Sequence, residues 1–191
     1  MAEQAKTDTA LLIIDMINEL EFEHARAMTP SVEAAADVIL GLRDAADIAG
    51  VPVVYVNDNY GKWHLDRTGI LDHVRGKSGA PIAERMMPRD TDYFVIKPHV
   101  SGFYATNLQA LLPRIGVSRL ILSGIAADIC VLFTAADAHM REYKMWVPAD
   151  AVASSEKEHR KWSLEIMEKS MAADTRPTHE LSLDEWLRNR G

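Results

Sequence analysis

Short apolar runs alternate along this chain with longer stretches whose apolar residues recur at helical spacing. Residues 9–14 (TALLII) form an unbroken apolar run ending at Asp15, the pattern of a strand buried on both faces. Residues 51–56 (VPVVYV), 92–96 (DYFVI), 119–123 (RLILS) and 144–147 (KMWV) repeat it. Pro52 sits at the start of its strand, and Lys97-Pro98 closes the third. A weaker sixth strand is expected near 175–178. Helices are expected over 32–49, with Ser31 as N-cap and Gly50 closing the last turn, and over 106–115, 128–143 and 156–172. Asp128 is a natural N-cap for the third of these. Ser182, with Glu185 three residues on, forms a capping box for a short final helix. Residues 57–80 hold Gly61, Gly69, Gly76 and Gly79 among charged residues. A loop of that length is usually functional or carries a short helix of its own.

Strands separated by helices predict an α/β fold: a mostly parallel, about six-stranded sheet covered on both faces, in a three-layer Rossmann-like arrangement. No internal repeat, low-complexity tract or linker interrupts the pattern. A single domain over 1–191 is expected, with 1–8 a loose polar tail.

Composition narrows the function classes. Of 191 residues, 48% are apolar and 26% charged, as in globular rather than disordered chains. A formal net charge of -7, with no run of Lys and Arg, argues against a nucleic-acid partner. The apolar runs are too short to cross a bilayer, and residues 1–8 lack the pattern of a signal peptide, so no membrane partner is expected. Cys130 is the single cysteine, which precludes an internal disulfide and fits a cytoplasmic location. That thiol is either a small buried hydrophobe or a reactive group.

Position bears on the choice. Ligands of open α/β sheets bind beyond the carboxyl ends of the strands. Asp15 follows the first strand, Lys97 follows the third, and Cys130 begins the helix after the fourth. In a first helical turn, backbone N–H groups and the helix dipole favour a thiolate and an oxyanion alike. Asp15 is either a proton acceptor for the thiol or a carboxylate held by backbone donors. Lys97 is either a surface ion-pair residue or the cation beside Asp15 and the sulfur.

The stretches ALLIIDMIN (10–18), VIKPHVSGFYATNL (95–108), LSGIAADICVLFTAADA (122–138) and VPADAVAS (147–154) together resemble the isochorismatase-like cysteine hydrolase superfamily. The resemblance implies Asp15 as general base, Lys97 as neighbouring cation and Cys130 as nucleophile. It also implies a cis peptide at Ile125-Ala126 and an oxyanion held by the N–H groups of Ala126 and Cys130. The expected activity is cleavage of a C–N bond in a small amide, ureido or carbamoyl compound through a thioester. Isochorismate-type vinyl-ether hydrolysis and a non-catalytic ligand-binding role are the alternatives. A homo-oligomer, dimer or tetramer, is also implied.

Two departures stand out. Many relatives read D-x-Q-N-D-F after the first strand, whereas this chain has Asp15-Met16-Ile17-Asn18-Glu19-Leu20 and lacks the glutamine. Nicotinamidase-like members carry Asp-x-His and a further His for a metal after the second strand. Here that place reads Asn57-Asp58-Asn59-Tyr60, so neither metal nor cofactor is expected, and His64 and His73 are expected to be solvated. Asn57, Asn59, Trp63, Phe103 and Tyr104 are candidate substrate contacts, although the two asparagines equally suit a turn. Phe133, one turn past Cys130, suits pocket or core, and loop 57–80 suits a lid or a subunit contact.

Overall fold

In the computed structural model, residues 7–189 are described. Six strands form one sheet: β1 (Thr9–Ile14), β2 (Val53–Asp58), β3 (Tyr93–Lys97), β4 (Arg119–Ile125), β5 (Lys144–Trp146) and β6 (Val152–Ala153). Their order is β3-β2-β1-β4-β5, with β6 also paired to β4, and every pairing is parallel. The unbroken apolar run of β1 follows from this. Leu11 and Ile13 join one core and Ala10, Leu12 and Ile14 the other, because successive side chains point to opposite faces.

The first core lies under α1 (Ala25–Ala49), α2 (Arg67–Val74), α3 (Ala80–Arg85) and α7 (Leu183–Arg188). The second lies under α4 (Leu108–Arg114), α5 (Leu132–His139) and α6 (Lys157–Met171). Each face is thus closed by helices, completing three layers. Among the described residues, no helix is long and apolar enough to cross a membrane.

Several boundaries differ from the sequence pattern. Helix α1 starts at Ala25 instead of residue 32, and Pro30 lies inside it. Ala25 and Met28 extend the buried stripe backwards, and their burial outweighs the proline's cost near the helix start. Ser31 does not cap; its hydroxyl donates to the Met28 carbonyl at 2.7 Å. Residues 57–80, expected as loop, contain α2 and lead into α3. Strand β2 runs two residues further than expected, to Asp58, with Pro52 just outside it. The sixth strand is Val152–Ala153 and not 175–178, where only an isolated bridge joins Trp146 to Asp174. The tail expected over 1–8 is not loose at its end, since the Asp8 carbonyl accepts from the Ser118 and Arg119 N–H groups at 2.9 Å each; residues 1–6 lie outside the described part. The capping box of Ser182 and Glu185 is present.

Gly124 makes the junction of β1 and β4 possible. It has φ +111°, and a Cβ there would stand 2.0 Å from the Ile14 carbonyl oxygen, one residue before Asp15. Gly124→Ala is therefore expected to destabilise by about 2–3 kcal/mol in urea unfolding, through backbone strain and a clash with no flexible side chain to yield.

Candidate active site

Four adjacent strands each deliver one reactive side chain to the same edge. Strand order reverses between β1 and β4, where such sheets open a crevice beyond their carboxyl ends. Asp15 leaves β1 with φ 51°, a left-handed conformation that aspartate tolerates better than most residues. Its N–H donates to the Val56 carbonyl at 2.9 Å, and its Oδ1 accepts from the Asp58 N–H at 2.7 Å. Lys97 ends β3 in register with Asp58 of β2 and reaches across that strand. Its Nζ lies 2.9 Å from Asp15 Oδ2, 3.3 Å from Asp58 Oδ2 and 3.5 Å from Cys130 Sγ, and donates to the His99 carbonyl at 3.1 Å. Asp15 and Cys130 are also in side-chain hydrogen-bond contact.

Cys130 does not sit in an ordinary first α-helical turn. The segment Ala127–Val131 is a π-helical turn, with the Val131 N–H bonded to the Ala126 carbonyl at 3.1 Å, and it runs directly into α5. The Ile125-Ala126 peptide bond before it is cis. Asp128 is not the cap; Ala126 holds that position, and the Asp128 carboxylate accepts from the Ser154 hydroxyl at 2.6 Å. The helix also ends at His139, four residues short of the expected end at 143.

Burial governs the protonation of this set. The Lys97 side chain has no exposed surface, and that of Asp15 is only 5% exposed. Burial lifts the Asp15 carboxyl above its usual range, against the pull of Lys97 and of the Cys130 contact. Burial depresses Lys97, but Asp15, Cys130 and Asp58 together outweigh it and hold the ammonium above its ordinary range. The Cys130 thiol is pushed up to about 12 by burial and then by the Asp15 charge, with Lys97 pulling the other way. The thiolate expected from helix position alone is thus not the resting form. The protonated thiol faces Asp15 and the Lys97 ammonium, because a thiolate would add a further buried negative charge beside the Asp15 side chain.

The pH consequence has one sign for all three groups. Each has its proton affinity raised by folding, so each contributes stability at low pH and loses it as pH rises through the raised value. For Cys130 the window runs from 9.0 to about 12. Urea midpoints are expected to fall progressively above about pH 9, and less steeply in Cys130→Ala.

The other candidate residues divide. Asn57 is buried and grips the chain after β1, its Oδ1 accepting from the Ile17 N–H at 3.2 Å and its Nδ2 donating to the Ile17 carbonyl at 3.0 Å. Asn59 accepts from the Gly61 N–H at 2.9 Å and shapes the turn. Both side chains hold backbone groups in place. Asn57→Ala leaves the buried Ile17 N–H without its partner and takes one of two donors from the Ile17 carbonyl, and is expected to cost about 2 kcal/mol in urea unfolding. Phe103 is a core residue, 1% exposed, packed against Tyr143 with ring centroids 5.9 Å apart; it does not wall the crevice. Tyr104 is exposed, its ring edge-on to that of His99 with centroids 5.4 Å apart. Trp63 and Phe133 are exposed, and Phe133 is therefore not core.

Ile17, at the place of the missing glutamine, and its neighbour Met16 are both buried in the first core. Segment 57–80 is tied to residues 17–21. Gly79 N–H donates to the Glu19 carbonyl at 2.8 Å, Tyr60 donates its hydroxyl proton to the Ile17 carbonyl, and Lys77 pairs with Glu21 at 2.8 Å. His73 lies 3.1 Å from Glu19 and is a tether of this segment, not a solvated side chain. Asp58 was not among the sequence candidates. Its signal was its place at the carboxyl end of a strand, hidden because the apolar run stops at Val56. Among the described residues, no group of three His, Cys, Asp or Glu side chains is placed to hold a metal ion.

Residues 9–178 match the family model described as the Isochorismatase domain. The chain belongs to the isochorismatase family. This isochorismatase-family chain is 41% identical, over 89% of its length and 94% of the relative's, to the uncharacterized isochorismatase family protein YaaI of Bacillus subtilis. It is 29% identical to the maleamate amidohydrolase of Pseudomonas putida, over 75% of this chain and 71% of that one. Among solved structures it resembles N-carbamoylsarcosine amidase of Thermoplasma acidophilum, with TM-score 0.72, 32% identity, and coverage of 92% of this chain and 99% of that one.

Proposed function

We propose that the protein is a cysteine hydrolase that cleaves a C–N bond of a small amide, ureido or carbamoyl compound. The observation that carries this is the Lys97 ammonium held 2.9 Å from Asp15 and 3.5 Å from Cys130, with none of its side chain exposed. A buried ammonium joining a carboxylate to a thiol is costly as packing and useful as chemistry. Two of the relatives above, the amidase and the amidohydrolase, support the C–N bond as the target.

The steps follow from the resting protonation. The thiol passes its proton to Asp15 as sulfur attacks the carbonyl carbon, so the thiolate exists only when a carbonyl is there to accept it. The carbonyl electron pair moves onto oxygen, held by the N–H groups of Ala126 and Cys130 at the helix start. Collapse breaks the C–N bond, and Asp15 returns the proton to the departing nitrogen. Water then attacks the thioester, giving its proton to Asp15 and from there to sulfur, which leaves as the thiol. Lys97 opposes the effect of burial on Asp15 and balances the charge as it moves.

Ammonia or amine release across a panel of small amide, ureido and carbamoyl compounds tests the proposal. At least one compound is expected to be hydrolysed by the wild type and not by Cys130→Ala. Equal turnover by both proteins would rule out the nucleophile, and no turnover of any compound would rule out C–N cleavage.

A further inference from the structure

Asp58 gives the site a second carboxylate that the chemistry above does not use. Its Oδ2 is 3.3 Å from Lys97 Nζ, and Cys130 Sγ is 3.5 Å from the same nitrogen, so oxygen and sulfur lie within about 7 Å of each other. Its Oδ1 accepts from the Tyr60 N–H at 2.6 Å, and Asp15 takes the Asp58 N–H, so the side chain is fixed from both ends. The exposures separate the two acids. The Asp58 side chain is 35% exposed, against 5% for Asp15 and none for Lys97. Asp15 is thus the inner partner of the ammonium, and Asp58 is the outer one, partly open to solvent. Two acidic side chains share one ammonium, so Lys97 does not balance both.

A charge within about 7 Å of the Cys130 sulfur and partly shielded by protein acts through a lower effective dielectric than water and is screened incompletely by salt. We propose that Asp58 is a specificity-determining residue that makes the mouth of the site anionic. The substrate is then a neutral or cationic amide, ureido or carbamoyl compound, whose N–H groups or positive charge face Asp58. A compound with a carboxylate beside the scissile bond is repelled. The substrate class rests on the C–N hydrolase reading, whereas the charge of the mouth does not.

Thiol-modifying reagents of one shape and different charge separate the two. Methanethiosulfonates bearing a trimethylammonioethyl, a methyl or a sulfonatoethyl group react with Cys130, each rate divided by its rate with 2-mercaptoethanol. The normalised cationic-to-anionic ratio is expected to be at least about tenfold in the wild type at low salt, to shrink at 1 M salt, and to fall toward unity in Asp58→Asn. A ratio near unity in the wild type, or one that Asp58→Asn leaves unchanged, overturns the inference without touching the hydrolase proposal. A charge-sorted ratio in a protein that hydrolyses no amide supports the anionic mouth and rejects the hydrolase. For any amide series that is turned over, Asp58→Asn is expected to raise kcat/KM for carboxylated members relative to neutral ones by about tenfold. A thermal melt of Asp58→Asn within a few degrees of wild type shows that the variant is folded.

Discussion

Cys130→Ala is expected to lower kcat on any hydrolysed amide by at least about 10⁴-fold while leaving the fold intact. Removing a nucleophile abolishes the covalent route and leaves only binding and oxyanion stabilisation to act on water. The half-buried sulfur is small, and alanine removes no hydrogen bond on which the backbone depends. Asp15→Asn is expected to approach the same loss, because the thiol is pushed up to about 12 and loses its proton acceptor. The two residues act as one unit, so the double variant is expected to be scarcely slower than either single one. Steady-state kinetics of the three proteins, with urea unfolding as a control, checks this. Additive losses would mean that the carboxylate and the thiol act independently.

Lys97→Met is expected to cost stability as well as activity. It removes the cation from a site where Asp15 is 3% exposed and Asp58 stands nearby, leaving a buried carboxylate without its counter-charge. Breaking such a pair from one side costs about 3–5 kcal/mol. The loss is expected to be smaller at low pH, since a protonated Asp15 needs no partner, and to be largely restored by adding Asp15→Asn. Urea unfolding of the single and double variants measures both effects. A double variant no more stable than Lys97→Met would show that lost packing of the lysine stem, and not the orphaned charge, sets the cost.

Much of the molecule was legible because its signals are local. The run TALLII with Asp15 at its end, the Gly50 stop and the Ser182–Glu185 box are each written in a few neighbouring residues, and each occurs where the pattern puts it. The misplaced features depend on contacts distant in sequence. Helix α1 crosses Pro30 because Ala25 and Met28 find the core, and β6 forms at 152–153 because β4 offers it an edge. The same holds in the site. Asp15 and Lys97 stood out as polar residues closing apolar runs, and Cys130 as the single thiol at a helix start after a strand. Asp58 did not, since only the register of β2 against β3 sets it opposite Lys97. Phe103 and Asn57 looked like pocket residues by composition, yet one fills the core and the other holds the backbone of Ile17. The state of the thiol was the least legible feature. A helix start favours the thiolate, but burial and the Asp15 charge oppose it more strongly, and only the packed structure reveals their balance.

The central claim is that Cys130 carries the acyl group between two halves of the reaction. Acid-quenched intact-mass spectrometry during turnover of a good amide substrate tests it most directly. The account predicts a protein species heavier by the acyl group, mapped by peptide digestion to Cys130 and discharged by hydroxylamine. Steady hydrolysis by the wild type with no acylated protein under rapid quench at saturating substrate, or an adduct on any other residue, would contradict it.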